Sequence, residues 1–174
     1  MHILRSFQIS LYLSPIIFSA LVLAGCAYSF TGASVPAHWK TISIPLFDDD
    51  SGFGQPSLRE DVTNMLIQKF QQDNTLQLAD RGSSNVELRG VITSVTADQP
   101  IAVSQGATAS RLQLSLKVRV TLIDHVNNKE VWRKDLSATG DYSASAGQSG
   151  RESGLQQAIE NITDDLLLET VSAW

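Results

Sequence analysis

The chain has 174 residues, 43% of them hydrophobic, and a formal net charge of −5 at pH 7. This length and composition suit one domain with its own core behind a short N-terminal segment. The acidic charge argues against a general nucleic-acid binder, and a single cysteine leaves no disulfide within the chain.

The N-terminal segment has the layout of a secretory signal. Arg5 precedes a mostly apolar run over residues 9–23, and the small residues before Cys26 mark a cleavage point. The closing tetrapeptide Leu-Ala-Gly-Cys resembles the lipobox of bacterial lipoproteins. The resemblance implies that residues 1–25 are removed and that Cys26 carries a thioether-linked diacylglycerol and an N-acyl chain; we expect no other cofactor. The alternative is a plain secretory signal with an incidental cysteine.

Two or more acyl chains anchor a protein stably to a bilayer, so the rest of the chain is expected to be tied to a membrane. Ala27 follows the cysteine. By the sorting rule known for enterobacterial lipoproteins, the absence of Asp there favours the periplasmic face of the outer membrane. Residues 26–39 show no periodicity and are predicted to form the lipidated N-terminus and a tether. Residues 40–174 are predicted to form one domain.

Hydrophobic periodicity predicts the elements of this domain. Ser57 and Glu60 have the spacing of a capping box and predict a helix start at residue 58. The Ser/Gly stretch over residues 143–150 is predicted to be a loop before the last helix. The predicted order is a strand within 40–47, a helix over 58–73, a short strand near 76–79, strands over 86–96, 111–123 and 130–142, and a final helix.

This order predicts an α+β fold with two helices packed on one face of a roughly four-stranded mixed sheet. The other face is predicted to be polar and free to meet solvent or a partner. A basic patch there would suit the phosphates of an anionic lipid headgroup, whereas ordinary cross-strand ion pairs are the alternative. Side chains alternate between the two faces of a strand, and by this parity the polar face carries the candidate lipid-binding residues Arg89, Lys117, Arg119 and Arg133, together with Glu87 and Asp135.

The sequence contains none of the catalytic motifs that would indicate an enzyme. It has no Gly-rich phosphate loop, no GxSxG and no HExxH motif, so we predict no enzymatic activity. The acidic run over residues 48–50 lacks the spaced ligands and distant glutamate of a calcium loop. We interpret it as a solvated turn.

The mature chain resembles the LptE family, the lipopolysaccharide-assembly lipoproteins of the outer membrane. No single motif is specific, and the resemblance rests on the order of several motifs after the lipobox. These motifs are Cys26-Ala27-Tyr28-Ser29-Phe30-Thr31-Gly32, Lys40-Thr41-Ile42-Ser43-Ile44-Pro45-Leu46-Phe47, Leu58-Arg59-Glu60, Leu88-Arg89-Gly90-Val91-Ile92 and Val131-Trp132.

The resemblance implies two helices on a four-stranded sheet and a protein that plugs the LptD β-barrel, helps it assemble and binds lipopolysaccharide. It identifies no lipid-binding motif residue by residue, so the basic face stays a hypothesis from strand parity. Residues 98–109 are expected to be a flexible loop able to face the barrel wall. The alternatives are an activator of a peptidoglycan synthase, which would need a longer tether, and a periplasmic hydrolase, which the missing motifs disfavour.

Overall fold

The computed structural model describes residues 35–101 and 111–172. The predicted signal, Cys26, most of the 98–109 segment and Trp174 lie outside these residues. The described residues form six strands, two α-helices and one short 3-10 turn. In chain order they are β1 (Thr41–Ser43), β2 (Asp48–Asp49), α1 (Leu58–Asp73), β3 (Gln77–Leu78), β4 (Val86–Pro100), β5 (Arg111–Asp124), β6 (Lys129–Ser143), the turn Ala144–Ala146 and α2 (Gly147–Ser172).

The six strands form one mixed sheet. Its order is β3-β1-β4-β5-β6, and β2 pairs with β4 beyond β1. The pairings of β1 with β3, and of β4 with β1 and β2, are parallel, while β4, β5 and β6 form an antiparallel meander. The predicted α+β class is confirmed. The sheet has six strands rather than roughly four. Strand β3 is the short strand predicted near 76–79, whereas β2 was not predicted and has two residues that pair with β4.

Both helices cover one face of this sheet. Helix α1 begins and ends where the spacing predicted, and its buried residues recur every four positions from Leu58 through Val62 and Leu66 to Phe70. This stripe packs with apolar residues of α2 and of β5 in a single core. Within the described part of the chain, neither helix is both long and apolar enough to cross a bilayer.

The start of α1 differs from the prediction. Ser57 has a helical backbone conformation, with φ −86° and ψ −6°, and its side chain caps no backbone amide. An N-cap residue needs an extended backbone to turn its oxygen back to the first turn. The Ser57 hydroxyl instead donates to Asp61 Oδ2 at 2.8 Å. The predicted capping box is therefore wrong, although the predicted start of the helix is confirmed.

Two boundaries also differ from the sequence prediction. Strand β4 continues to Pro100, because Gln99 and Pro100 still pair with β5, so the predicted loop over residues 98–109 starts too early. Helix α2 begins at Gly147, inside the stretch predicted to be a loop.

Two glycines that flank that stretch, Gly140 and Gly154, allow close packing between β6 and α2. A Cβ on Gly140 of β6 would lie 1.8 Å from the Gly154 carbonyl oxygen of α2, and one on Gly154 would lie 2.6 Å from Tyr142 Cδ1. Only residues without a side chain allow the two backbones to approach this closely. Gly154 is therefore a packing residue inside a helix.

A buried carboxylate ties the residues before β1 to the end of β5. Asp124 is 1% exposed and accepts hydrogen bonds from Trp39 Nε1 at 3.0 Å, His38 Nε2 at 3.1 Å, and the backbone and side-chain nitrogens of Asn127 at 2.9 and 2.7 Å. Burial acts to raise the pKa of Asp124, but these hydrogen bonds outweigh it and hold the pKa well below its usual value. Trp39, at 2% exposed, is part of the core.

Candidate functional site

The face of the sheet opposite the helices, here called the open face, carries all four predicted basic residues. Residues directly opposite in an antiparallel sheet share one face, so the strand register shows which side chains are neighbours. Along β4, β5 and β6, in that order, one row contains Arg89, Thr121 and Arg133, the next contains Val91, Arg119 and Asp135, and a third contains Ser94, Lys117 and Ser137.

A concavity of about 580 Å³ lies over the first two rows. Arginine side chains and apolar side chains line it together. Leu46, with 46% of its surface exposed, is one of the few large hydrophobic residues that the described part of the chain shows to solvent. Lys117 lies one row further and is not in the lining. The lining consists of Pro45, Leu46, Asp48, Arg81, Arg89, Gly90, Val91, Arg119, Thr121, Ile123, Glu130 and Arg133.

Two of the arginines in the concavity have exposed carboxylate partners. Arg119 Nε lies 2.9 Å from Oδ1 of Asp135, directly across the strand pair, and Arg133 Nη2 lies 2.6 Å from Glu130 Oε2. All four side chains are about half exposed or more. Such pairs contribute roughly 0–1 kcal/mol each, so an incoming anion could displace the carboxylate at small cost. Lys117 has no ion pair within the described residues.

The other two arginines meet a buried carboxylate. Glu87 is fully buried, although it lies on the open face, and its Oε1 is 2.7 Å from Arg89 Nε and 2.8 Å from Arg81 Nε. Its Oε2 is 3.1 Å from Arg89 Nη2 and 2.9 Å from His125 Nε2. Burial acts to raise the pKa of Glu87, but the hydrogen bonds from Arg89, His125 and Arg81 lower it on balance, so the carboxylate stays ionised. We call these four residues the Glu87 cluster.

A family model described as LptE, Lipopolysaccharide-assembly, matches residues 39–170. The chain belongs to the LptE family. The match begins at Trp39, the buried residue held by Asp124, and ends inside α2. No individual curated protein sequence matches the chain.

Solved structures show the same fold as this LptE family member at low sequence identity. A protein of the DUF330 family from Xanthomonas campestris has a TM-score of 0.60 and 13% identity, covering 80% of this chain and 90% of that one. A hypothetical protein from Chlamydia trachomatis has a TM-score of 0.53 and 12% identity, covering 76% and 93%. A minor lipoprotein from Acinetobacter baumannii has a TM-score of 0.50 and 19% identity, covering 75% and 91%. At these identities the likeness concerns the fold alone.

Membership of the LptE family makes this protein a non-enzymatic accessory protein of lipopolysaccharide assembly. In residues 35–101 and 111–172, no group of three or more His, Cys, Asp or Glu side chains is placed to hold a metal ion. The acidic run contributes Asp48 and Asp49 to β2, which pairs with Val91 and Ile92 of β4, so these two residues are not a turn as predicted.

Sequence reasoning placed the four basic residues on one face but missed two features of the site. Arg81 lies in the turn before β4, where strand parity says nothing about side-chain direction. Glu87 has the parity of an exposed residue and is nevertheless buried, because the side chains of Arg81, Arg89 and His125 gather around it. Arg89 lies two residues from Glu87 on the same strand, whereas Arg81 and His125 come from turns that only the fold brings to this position.

Proposed function

We propose that this chain is an outer-membrane lipoprotein that plugs and helps assemble the LptD β-barrel and binds lipopolysaccharide during its export. The family match supports the pathway. The observation that carries the lipid-binding part is the concavity, in which arginines lie beside the exposed Leu46 and the partly exposed Val91 and Ile123. Lipopolysaccharide has phosphates beside acyl chains, so a surface that offers guanidinium groups next to Leu46 and Ile123 matches both parts.

The predicted basic residues would contact the ligand at different positions on the open face. Arg119 and Arg133 line the concavity and have exposed carboxylate partners that a phosphate can replace. Lys117 lies one row along β5 and offers a charge without a competing carboxylate in the described residues. A guanidinium can hold a phosphate through two parallel hydrogen bonds, whereas the lysine acts as a point charge.

A charge-reversal experiment tests the basic part of the proposal. The double variant Lys117→Glu with Arg119→Glu is expected to weaken lipopolysaccharide binding by about tenfold or more, since loss of a charge-assisted hydrogen bond costs about 1.5–3 kcal/mol. Arg111→Glu is the matched control, because Arg111 lies on the same strand and face, is 62% exposed and also pairs with an aspartate, but lies outside the concavity. Equal binding by the double variant and the control would contradict the proposal.

The apolar part has its own matched pair of variants. Leu46→Asp places a charge in the concavity and is expected to weaken binding, because an acyl chain would lose apolar contact area there. Val126→Asp makes the same kind of change at a side chain that is 54% exposed and does not line the concavity. Binding that falls equally in both variants would show a general effect of negative charge and would contradict an acyl-chain contact at Leu46.

The anchor and the barrel partner are separate parts of the proposal. Cys26 is proposed to carry the lipid anchor, and labelling of cells with a clickable palmitate is expected to mark the wild type and not Cys26→Ser. Copurification of a large β-barrel from outer membranes would support the plug. Capture of a peptidoglycan synthase instead would support the alternative function, which the family match does not favour.

A further inference from the structure

We propose that Glu87 is a positioning residue that holds Arg81 and Arg89 side by side as a clamp for a phosphomonoester. The inference deepens the proposed function and rests on it for the natural ligand, a phosphorylated lipid headgroup. It adds Arg81 to the site, which strand parity did not identify. It also adds a buried acid, Glu87, that strengthens anion binding although it is negatively charged.

The geometry places the two guanidinium groups next to each other. Both Nε atoms contact the same oxygen of Glu87, at 2.7 Å from Arg89 and 2.8 Å from Arg81, so they cannot be more than about 5.5 Å apart. Arg89 is held further by a second bond from Nη2 to Oε2 at 3.1 Å. His125 occupies the remaining side of Oε2 at 2.9 Å. One buried carboxylate therefore orients arginines from the turn before β4 and from β4 itself.

Each arginine keeps donors that Glu87 does not use. A guanidinium has five N–H donors in a rigid fork. Arg89 uses Nε and one Nη2 hydrogen for Glu87, and Arg81 uses Nε. The side chains of Arg81 and Arg89 are 61% and 47% exposed, and both line the concavity. The unused N–H groups are thus available to a ligand there, on side chains whose rotational freedom is already restricted.

A phosphomonoester fits this arrangement better than a carboxylate does. It carries a charge of about −1.5 to −2 near neutral pH and three acceptor oxygens, so it can accept from two guanidinium forks at once. Glu87 already neutralises one of the two arginine charges, so the remaining attraction depends on the alignment of the donors more than on net charge.

This dependence gives Glu87→Gln a diagnostic sign. If net charge alone governed binding, removal of a buried negative charge beside two arginines would strengthen the binding of phosphate. If Glu87 aligns the clamp, the neutral amide holds the guanidinium groups less firmly and the affinity falls, by about tenfold for the loss of one well-aligned charge-assisted hydrogen bond. Glu60→Gln is the control, because it makes the same chemical change at a glutamate on α1 that is 44% exposed, pairs with Arg59 and lies outside the concavity. It is expected to leave the affinity unchanged.

Arg81→Lys is a second variant, and it is not expected to unfold the domain because Arg81 is not part of the core. Arg81 is exposed in a turn, and the substitution keeps the positive charge while it removes the fork. The clamp predicts about tenfold weaker binding of phosphate in this variant as well. The control Arg59→Lys changes an arginine that is 46% exposed on α1, outside the concavity, and is expected to have no effect.

The experiment titrates the full chain, in non-ionic detergent micelles, with inorganic phosphate and follows the ¹⁵N–¹H signals of the arginine Nε groups. Phosphate is expected to shift the signals of Arg81 and Arg89 in the wild type. The Arg89 signal, which both variants keep, is expected to report an about tenfold higher dissociation constant in Glu87→Gln and in Arg81→Lys. An intact amide spectrum reports that each variant is folded. Unshifted wild-type signals, or binding by both variants as tight as in the wild type, would overturn the inference.

Two further arms separate the ligand sources. The same chain is mixed with lipopolysaccharide and with lipopolysaccharide whose lipid phosphates have been removed. A phosphate response without any binding of lipopolysaccharide would remove the lipid part of the proposed function and leave the clamp in place. Equal binding of both lipopolysaccharide forms without a phosphate response would overturn the clamp and leave the proposed function intact.

Discussion

The hydrogen-bond cluster around Asp124 allows a prediction of folding stability with a defined magnitude and pH dependence. Asp124→Asn keeps the size of the side chain but replaces one carboxylate oxygen with an NH₂ group. Oδ2 accepts from Trp39, His38 and the Asn127 side chain, and Oδ1 accepts from the Asn127 backbone. In either orientation of the amide, at least one buried donor then faces another donor, and every remaining bond loses its charge.

The expected loss follows from these bonds. A hydrogen bond to a charged group contributes about 1.5–3 kcal/mol, and removal of one partner from a buried charged cluster typically costs about 3–5 kcal/mol. A domain of this size has a total stability of about 5–15 kcal/mol. We therefore expect Asp124→Asn to lower the free energy of unfolding by about 3–5 kcal/mol and the melting temperature by about 10 °C. Urea unfolding followed by tryptophan fluorescence measures the free energy of unfolding of the wild type and of the variant under the same conditions.

The pH dependence of folding stability is a second test of the role of Asp124. The pKa of Asp124 is lower in the folded chain than in the unfolded chain. Its stabilising contribution is therefore complete above the unfolded pKa, near 3.8, and is lost as the pH falls towards the folded pKa. The difference in stability between wild type and Asp124→Asn is expected to be full at pH 7 and to shrink as the pH is lowered through 4 to 3.

The control is Asp135→Asn, since Asp135 is 69% exposed and forms only a surface ion pair with Arg119. That variant is expected to stay within about 0.5 kcal/mol of the wild type. The reasoning would be refuted if Asp124→Asn were as stable as this control. It would also be refuted if the loss caused by Asp124→Asn were the same at pH 3 as at pH 7.

The remaining predictions concern the core. Gly140→Ala would place a Cβ 1.8 Å from the Gly154 carbonyl oxygen, so β6 and α2 must separate, and we expect urea unfolding to show a loss of about 3 kcal/mol. Gly82→Ala is the control, with nothing within 4 Å of its Cβ, and equal losses in the two variants would contradict the packing argument. Thr63→Val removes the buried hydroxyl that accepts from the Phe47 backbone N–H at 3.0 Å, so we expect a loss of about 1–3 kcal/mol and faster hydrogen exchange at Phe47. Unchanged exchange there would show that this bond does not protect the amide.

The open face shows which features of a binding surface strand parity predicts and which it does not. Parity depends only on the two-residue repeat of a strand, so it correctly placed Arg119 on the same face as Arg89 and Arg133. It does not report which side chains cover one another. Glu87 has the parity of an exposed residue and is buried, because Arg81 and His125 reach it from the turn before β4 and the turn after β5, which lie at the same end of the sheet.

The sequence by itself determined the elements whose signal lies within one segment. The apolar stripe of α1 and the alternation along β5 repeat over 14 or more residues, and each repeat adds evidence for the same local geometry. The α+β class follows from the order of these elements, because amphipathic helices must cover a sheet face that would otherwise expose its apolar side.

Only the tertiary structure decided the features that depend on partners far apart in the chain. Strand β2 has two residues and exists through its pairing with β4, and Gly147 begins a helix because the glycines after it pack against β6. Trp39 belongs to the core through a bond to Asp124, which is 85 residues away. Such contacts arise when the chain closes on itself, so no periodic pattern in the sequence records them.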